Sequence, residues 1–321
     1  MPVASEDRFR RVLLGGIVTL AVLTAAVVVA GVVRSAAPEE SPSAGPWRHQ
    51  AVLDTGRDDF GTVVLDGRIW VLGGMTGSRG NLLDTVEIYD PDKDRWRYGP
   101  SLPVPRSSTA TVAVDGVIYS IGGLTPPTET TGRATAFDPA TRKWRRLPPL
   151  PTPRYELGAA VLGGDIYAIG GEGAQGPVRT VEVFDTRSRT WSKAPPLPVA
   201  KGSLRAVALG GKVYAVGGNT NGEDTTDVQV FDPAKDRWSK GPALPAPLAN
   251  YGLTVHSGRI HAVMYGHHFT YRPGAASWRK APGMGSSRHG LGLASVDGRL
   301  YAIGGCTPEP LRDVPVVESY R

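Results

Sequence analysis

The segment GRIWVLGG at residues 67–74 recurs along the chain as GVIYSIGG (116–123), GDIYAIGG (164–171), GKVYAVGG (211–218) and GRLYAIGG (298–305). Each is a short apolar run opened by a turn glycine and closed by a diglycine. The first glycine of each pair stands 26 residues after a tryptophan: Trp47, Trp96, Trp144, Trp191 and Trp278. One further tryptophan, Trp238, points by the same interval to Met264 in RIHAVMYG, which makes a sixth copy with Met264 and Tyr265 in the diglycine places. Self-similarity at a fixed period is read before any single element, because it decides the architecture.

Within each copy a two-residue turn precedes the apolar run: Asp66-Gly67, Asp115-Gly116, Gly163-Gly164, Gly210-Gly211, Ser257-Gly258 and Asp297-Gly298. Asp-Gly and Gly-Gly between apolar runs favour a type I′ hairpin, which needs positive φ at both positions. The spacing therefore predicts a hairpin of strands a and b. Strand c follows as VEIYDP (86–91), ATAFDP (134–139), VEVFDT (181–186), VQVFDP (228–233), HFTYRP (268–273) and VESYR (317–321), and an Asp-Pro type turn leads to the tryptophan of strand d.

A hydrophobic strand ending in Gly-Gly, a spaced aromatic and a downstream tryptophan resemble the kelch motif. The resemblance covers residues 47–321 and implies an all-β fold, a six-bladed kelch-type β-propeller with four strands per blade. The last copy ends on strand c, and Trp47 opens the first with a strand d that has no strand c before it. The N-terminal strand is therefore expected to complete the C-terminal blade, removing two exposed edges at once.

Four regions are expected: a basic N-terminus (1–11), a transmembrane helix (12–33), a stalk (34–46) and the propeller (47–321). Residues 12–33 carry no charge, and 22 residues of helix span about 33 Å, enough to cross a bilayer core. Arg8, Arg10 and Arg11 on one flank against Arg34 on the other keep the N-terminus in the cytoplasm and place the propeller outside it. The competing reading is a cleaved signal peptide ending near Ser35-Ala36-Ala37, to which Pro38 is unfavourable. The stalk SAAPEESPSAGP is too poor in apolar groups to fold. Many arginines, few lysines and abundant Ala and Val suggest a GC-rich bacterial genome.

The chain has 321 residues and a formal charge of +6; residues 1–46 balance to zero, so the excess belongs to the repeats. Ten residues after each tryptophan stand Arg57, Arg106, Arg154, Lys201, Leu248 and Arg288. This position opens strand a, which in a kelch-like propeller lines the central channel. The five cations, with Tyr155, Glu156, Asn250 and His289 beside them, are candidates for a ligand-binding mouth, since guanidinium groups suit carboxylates and sugar oxygens. The alternative is that they satisfy carbonyl groups of the neighbouring blade. The same face carries the b–c loops, whose lengths and sequences vary while the tryptophan-to-diglycine interval does not. Loops on a rigid scaffold are where a protein or glycan partner is expected.

No metal, cofactor or nucleic-acid site is expected. A single cysteine, Cys306, excludes a cysteine cluster. His256, His261, His267 and His268 gather in the fifth copy, but His261 takes a blade-packing slot and His267 and His268 are placed at the far end of strand b. Galactose oxidase-type copper enzymes share the repeats, yet no histidine-rich loop matches their site. Sialic acid mutarotases are a nearer enzymatic resemblance, which would give roles to Arg106, Arg154 and Glu156, with Glu156 the general acid or base. No other catalytic residue is nominated, and the leading expectation is a binding module displayed outside the cell membrane.

Overall fold

A computed structural model describes residues 46–77, 80–308 and 310–321. The expected membrane span at 12–33 and most of the stalk lie outside the described residues. Among the described residues no helix is long and apolar enough to cross a membrane.

Six four-stranded antiparallel sheets repeat the order a-b-c-d. The first comprises Gly61–Leu65, Arg68–Leu72, Val86–Asp90 and Arg95–Tyr98. Strand a of each sheet packs against strand a of the next, and the sixth returns to the first, so the a strands form a closed ring around an axis. The sixth blade takes its outer strand from the N-terminus. Arg48–His49 pairs with Val317–Tyr320, with Arg48 opposite Ser319 and His49 opposite Glu318.

The tryptophans show that this outer strand is an ordinary member of the ring. Trp96, Trp144, Trp191, Trp238 and Trp278 donate their indole N–H to the carbonyls of Ala51, Pro100, Pro148, Pro195 and Pro242 at 2.7–3.0 Å. Each acceptor follows strand d of the preceding blade by a few residues. Trp47 makes the sixth such bond, to Pro282 at 2.9 Å, and is fully buried. A buried indole needs an acceptor, and here the acceptor is the neighbouring blade. Further rings fill the seams: Tyr119 on Phe184, Tyr167 on Phe231 and Tyr214 on Tyr271, with centroids 5.9–6.2 Å apart.

The diglycines are needed for two reasons. Gly73 and Gly74 both have positive φ, +61° and +96°, and a Cβ on Gly73 would fall 2.2 Å from the carbonyl oxygen of Arg106. The closest approach is thus that of a neighbouring backbone, with the Leu102 side chain next at 3.0 Å. The second glycine of each pair donates its N–H to the residue that opens strand a of the next blade: Gly74 to Arg106, Gly123 to Arg154, Gly171 to Lys201, Gly218 to Leu248 and Gly305 to Arg57. In the fifth blade Tyr265 fills this place, with φ +48° and its N–H on the Arg288 carbonyl at 2.9 Å.

After the diglycine, five blades form a second, two-stranded hairpin between b and c. Examples are Met75–Thr76 with Asn81–Leu82, and Cys306–Pro308 with Leu311–Asp313. The fifth blade instead turns directly, with Met264 opposite His267. Isolated bridges tie each hairpin to the d–a connection beside it: Asp58 to Met75, Ser107 to Leu124, Tyr155 to Glu172, Gly202 to Asn219 and His289 to Cys306.

Candidate functional site at the hairpin-bearing mouth

The repeated cations do not open onto the mouth. Arg57, Arg106, Arg154, Lys201 and Arg288 are all at most 1% exposed. Each side chain turns into its own blade, where two kinds of acceptor receive it. Arg154 donates from Nε to the Gly170 carbonyl at 2.7 Å, from Nη2 to Ala168 at 3.0 Å, and from Nη1 to the Glu182 carboxylate at 2.5 Å. Arg57 pairs with Glu87, and Arg288 with Glu318 at 2.8 Å. Lys201, with a shorter reach, pairs with Asp227 at 2.7 Å. Arg106 reaches the hydroxyl of Thr135 instead, and burial, then the neighbouring Arg133, lowers it to about 10. The carbonyls served belong to the cation's own blade, not to the neighbour named by sequence reasoning. The neighbour is met through the backbone, because the carbonyl of the same residue accepts the diglycine N–H of the preceding blade. Leu248 fills this place in the blade without a second hairpin and is fully buried.

The carboxylate partners had a signal in the sequence. Glu87, Glu182 and Glu318 occupy the second position of strand c, 28 to 30 residues after their cation. A buried cation needs a paired acid, and the recurring glutamate at one position of strand c was there to be read.

The rim of the channel is formed two positions further on. Asp59, Ser108, Glu156, Ser203, Asn250 and Gly290 all have positive φ, between 50° and 61°. Their backbones hand hydrogen bonds around the axis: Ser108 N–H to the Asp59 carbonyl (2.6 Å), Glu156 to Ser108 (3.0 Å), Asn250 to Ser203 (3.0 Å), Gly290 to Asn250 (2.7 Å) and Asp59 to Gly290 (3.0 Å). Non-glycine residues in the left-handed region are uncommon, and five in one ring mark an over-determined feature. Below it lies a channel cavity of about 110 Å³, lined in part by Asp59, Thr62, Ser108, Thr111 and Arg205.

The rim carries carboxyl groups in place of the expected basic ring. Glu156 accepts from the Ser203 hydroxyl, and burial, reinforced by the Asp59 charge, pushes it up to about 7. Burial, then Asp59 and Asp313, pushes Asp58 up to about 9. Burial likewise raises Asp59. Arg205 is the channel cation: it donates to the Asn250 side chain at 3.0 Å and the Tyr251 carbonyl at 3.1 Å. Tyr155, Glu156, Asn250 and His289 are thus brought to the mouth, half-buried, while the five cations are withdrawn from it.

The histidines of the fifth blade form a chain rather than two separated groups. His268 lies opposite Val263, so it is the diagonal neighbour of His261 on the same face of the sheet. His268 thus stands at the far end of strand b, as expected, and its ring reaches back to His261. The tight turn at Tyr265-Gly266 brings strand c back at once. His268 Nδ1 meets the Pro282 carbonyl at 3.0 Å, which only accepts, so this nitrogen carries the proton. His268 Nε2 then accepts from His261 Nδ1 at 2.9 Å, and His261 Nε2 is left buried without a partner. Burial, then the neighbouring imidazoles, lowers His261 to about 3. Cys306 is a buried free thiol, pushed up to about 12 by burial and by the Asp58 and Asp313 carboxylates.

The KLHDC2/KLHL20/DRC7 Kelch-repeats domain matches residues 59–266, more than half of the chain, and the Kelch motif matches residues 287–320. Human Kelch-like protein 22 is 43% identical over 54 residues, which is 17% of this chain and 8% of that protein. Mouse Kelch-like protein 23 is 39% identical over 51 residues, 16% of this chain and 9% of that protein. The matched stretch spans less than a tenth of either relative. Six blades, their diglycine clasps and these matches lead to one statement: the chain belongs to the kelch-repeat family.

Proposed function

We propose that this protein is a single-pass membrane protein, of bacterial type by its composition, that displays a kelch propeller outside the cytoplasm and binds a protein partner through its hairpin-bearing face. Kelch propellers are protein-interaction modules, and one observation carries the assignment of the face. Five second hairpins project from the b–c side with sequences that do not repeat, from Met75–Thr76 to Leu311–Asp313, while the cations that repeat beside them are buried in the scaffold. Leu311, 60% exposed, is a large apolar group on one of them. The uncharged stretch 12–33 and its arginine flank support the anchor and its orientation.

A second reading, a glycan or other small polyol in the mouth, is favoured by the rim itself. Asp59, Ser108, Glu156, Ser203 and Asn250 offer oxygen acceptors and hydroxyl groups within one ring. It does not need the buried arginines. An enzymatic version of this reading retains Glu156, poised near neutrality, but has lost Arg106 and Arg154 to the scaffold.

The test is site-specific photo-crosslinking of the full-length protein in intact cells. A crosslinker at Leu311 or Asp224 is expected to yield one discrete adduct, and one at Asp115 or Gly210, in the a–b turns, none. Equal labelling from both faces refutes the assignment of the face. Digestion of Leu311 by protease only after cell lysis refutes the exposed topology.

A further inference from the structure

Asp58 and His289 hold the same register in successive blades, eleven residues after Trp47 and Trp278. The ring closure sets them side by side, joined by the Asp59 N–H bond to the Gly290 carbonyl at 3.0 Å. His289 and Cys306 exchange both backbone hydrogen bonds, at 3.0 and 2.8 Å, which fixes the imidazole beside the thiol. One ligand atom from each of Asp58, His289 and Cys306 lies within 4.8 Å of the other two. In other copies this register holds Ser107, Tyr155, Gly202 and Ala249, and the place of Cys306 holds Met75, Leu124, Glu172 or Asn219. Among the described residues, these three donor types converge at the seam between the sixth and first blades.

The group is short of partners. Among the described residues, Asp58 Oδ1 and His289 Nδ1 are buried without a hydrogen-bond partner, and so is the adjacent Asp59 Oδ1. Buried polar atoms are nearly always satisfied, and a bound ion is one of the few explanations for a cluster that is not. The charges also lean one way. Asp58 and Asp313 converge on the thiol, and Asp313 is already committed, accepting the Gly77 N–H at 2.7 Å across the same seam.

We propose that Asp58, His289 and Cys306 form a binding site for a zinc-like dication, which ties the first blade to the sixth where the ring closes. A carboxylate oxygen, an imidazole nitrogen and a thiolate are zinc donors, whereas calcium and magnesium call for oxygen shells. Ligands on tetrahedral zinc stand about 3.3–3.8 Å apart for bonds of about 2.0–2.3 Å. Groups within 4.8 Å of one another close on the ion by side-chain rotations of about an ångström. Binding releases the Cys306 proton to solvent, and the thiolate, the Asp58 carboxylate and neutral His289 make the bonds. Three protein ligands leave the fourth position to water. No local motif announces such a site, because its ligands meet only through closure of the ring.

The full-length protein, stripped with chelator and dialysed against zinc chloride, is expected to retain about one zinc per chain and to melt at higher temperature with zinc than without. Cobalt chloride in place of zinc is expected to give thiolate-to-metal charge-transfer absorption. That band should vanish in Cys306→Ser. His289→Ala and Asp58→Asn should each weaken zinc at least about tenfold, compared with the 10–100-fold that outer-shell losses alone cost. His261→Tyr, in the separate histidine chain, should change neither stoichiometry nor band. Should Cys306→Ser fail to fold, His289→Ala supplies the same comparison, since loss of a surface-reaching imidazole leaves the thiol in place. Zinc retention below one-tenth per chain, a band that persists in Cys306→Ser, or stoichiometry lost in His261→Tyr overturns the proposal.

Discussion

Replacing Arg154 by Ala separates a ligand-binding role from a scaffold role. Arg154 is fully buried and donates to Gly170, Ala168, Thr152 and Glu182, and Glu182 is 1% exposed. Truncation leaves Glu182 with only the Thr152 hydroxyl at 2.9 Å, inside the blade. Removing one partner of a buried pair costs about 3–5 kcal/mol, because the other charge stays buried. For a domain of this size each kcal/mol moves Tm by roughly 2 °C, so Arg154→Ala should melt about 6–10 °C below wild type. The double variant Arg154→Met with Glu182→Leu removes both charges and should recover part of that loss, as uncharged replacements of buried pairs do. Arg205→Ala provides the contrast, since its side chain lines the channel and bonds no carboxylate, only the Asn250 side chain and the Leu204 and Tyr251 carbonyls; its Tm should fall by no more than about 2 °C. Thermal unfolding followed by circular dichroism reads all three. An Arg154→Ala protein melting within about 2 °C of wild type, or a double variant less stable than the single, would refute the scaffold role and return Arg154 to the mouth.

Three further outcomes follow from the geometry. Trp47→Ala should cost about 3–5 kcal/mol, and deletion of residues 46–52 more, because both remove the strand and the indole that complete the sixth blade; unchanged urea midpoints would disprove the closure. The histidine chain folds with His256, His261 and His268 below their ordinary values, so its stability is full above about pH 6.5 and is lost as pH falls toward 3, where the unfolded chain takes up protons that the fold rejects. His261→Tyr, the residue in this slot elsewhere, should flatten the fall of Tm between pH 6.5 and 4.5, and an identical slope would count against the chain. Glu156 has the opposite sign, with a folded value near 7 above the ordinary 4.5, so its contribution falls as pH rises from 4.5 through 7. Glu156→Gln should therefore gain stability relative to wild type at pH 8 but not at pH 4, measured by the difference in Tm at the two values; equal differences would show that the carboxyl is not held protonated by its surroundings.

The architecture was legible because it rests on intervals, and an interval survives any amount of substitution between its ends. Trp47 to Gly73 measures one blade outer strand, one connection and one hairpin, and only a ring of equal units keeps that distance in all its copies. The hairpin glycines could be read for the same reason: φ > 0 at Asp66-Gly67 is a local demand. The side-chain direction of Arg154 was not local. A cation at the start of strand a can turn toward the axis or into the sheet, and what decides is the acid of strand c, 28 residues later, together with the carbonyls of Ala168 and Gly170 on strand b and its diglycine. The contact of His268 with His261 was hidden for a related reason, since it depends on two rings leaning together along one face of the sheet.

Repetition itself carries a physical bias that bears on where function lies in such a fold. A residue that recurs at one register must solve a problem every blade has: a free carbonyl, a seam, a turn. The tryptophans, diglycines and buried cations each answer one of these, and each is buried or bonded in every copy that has it. Residues able to recognise something else are those that break the repeat. By that criterion the informative positions are Asp58, Tyr155 and His289, which share one register without sharing a chemistry, and the hairpins beside them. The seam between the sixth and first blades concentrates the departures, since it alone joins residues from the two ends of the repeat array. A carboxylate, an imidazole and a thiol meet there, and among the described residues Asp58 Oδ1 and His289 Nδ1 find no hydrogen-bond partner.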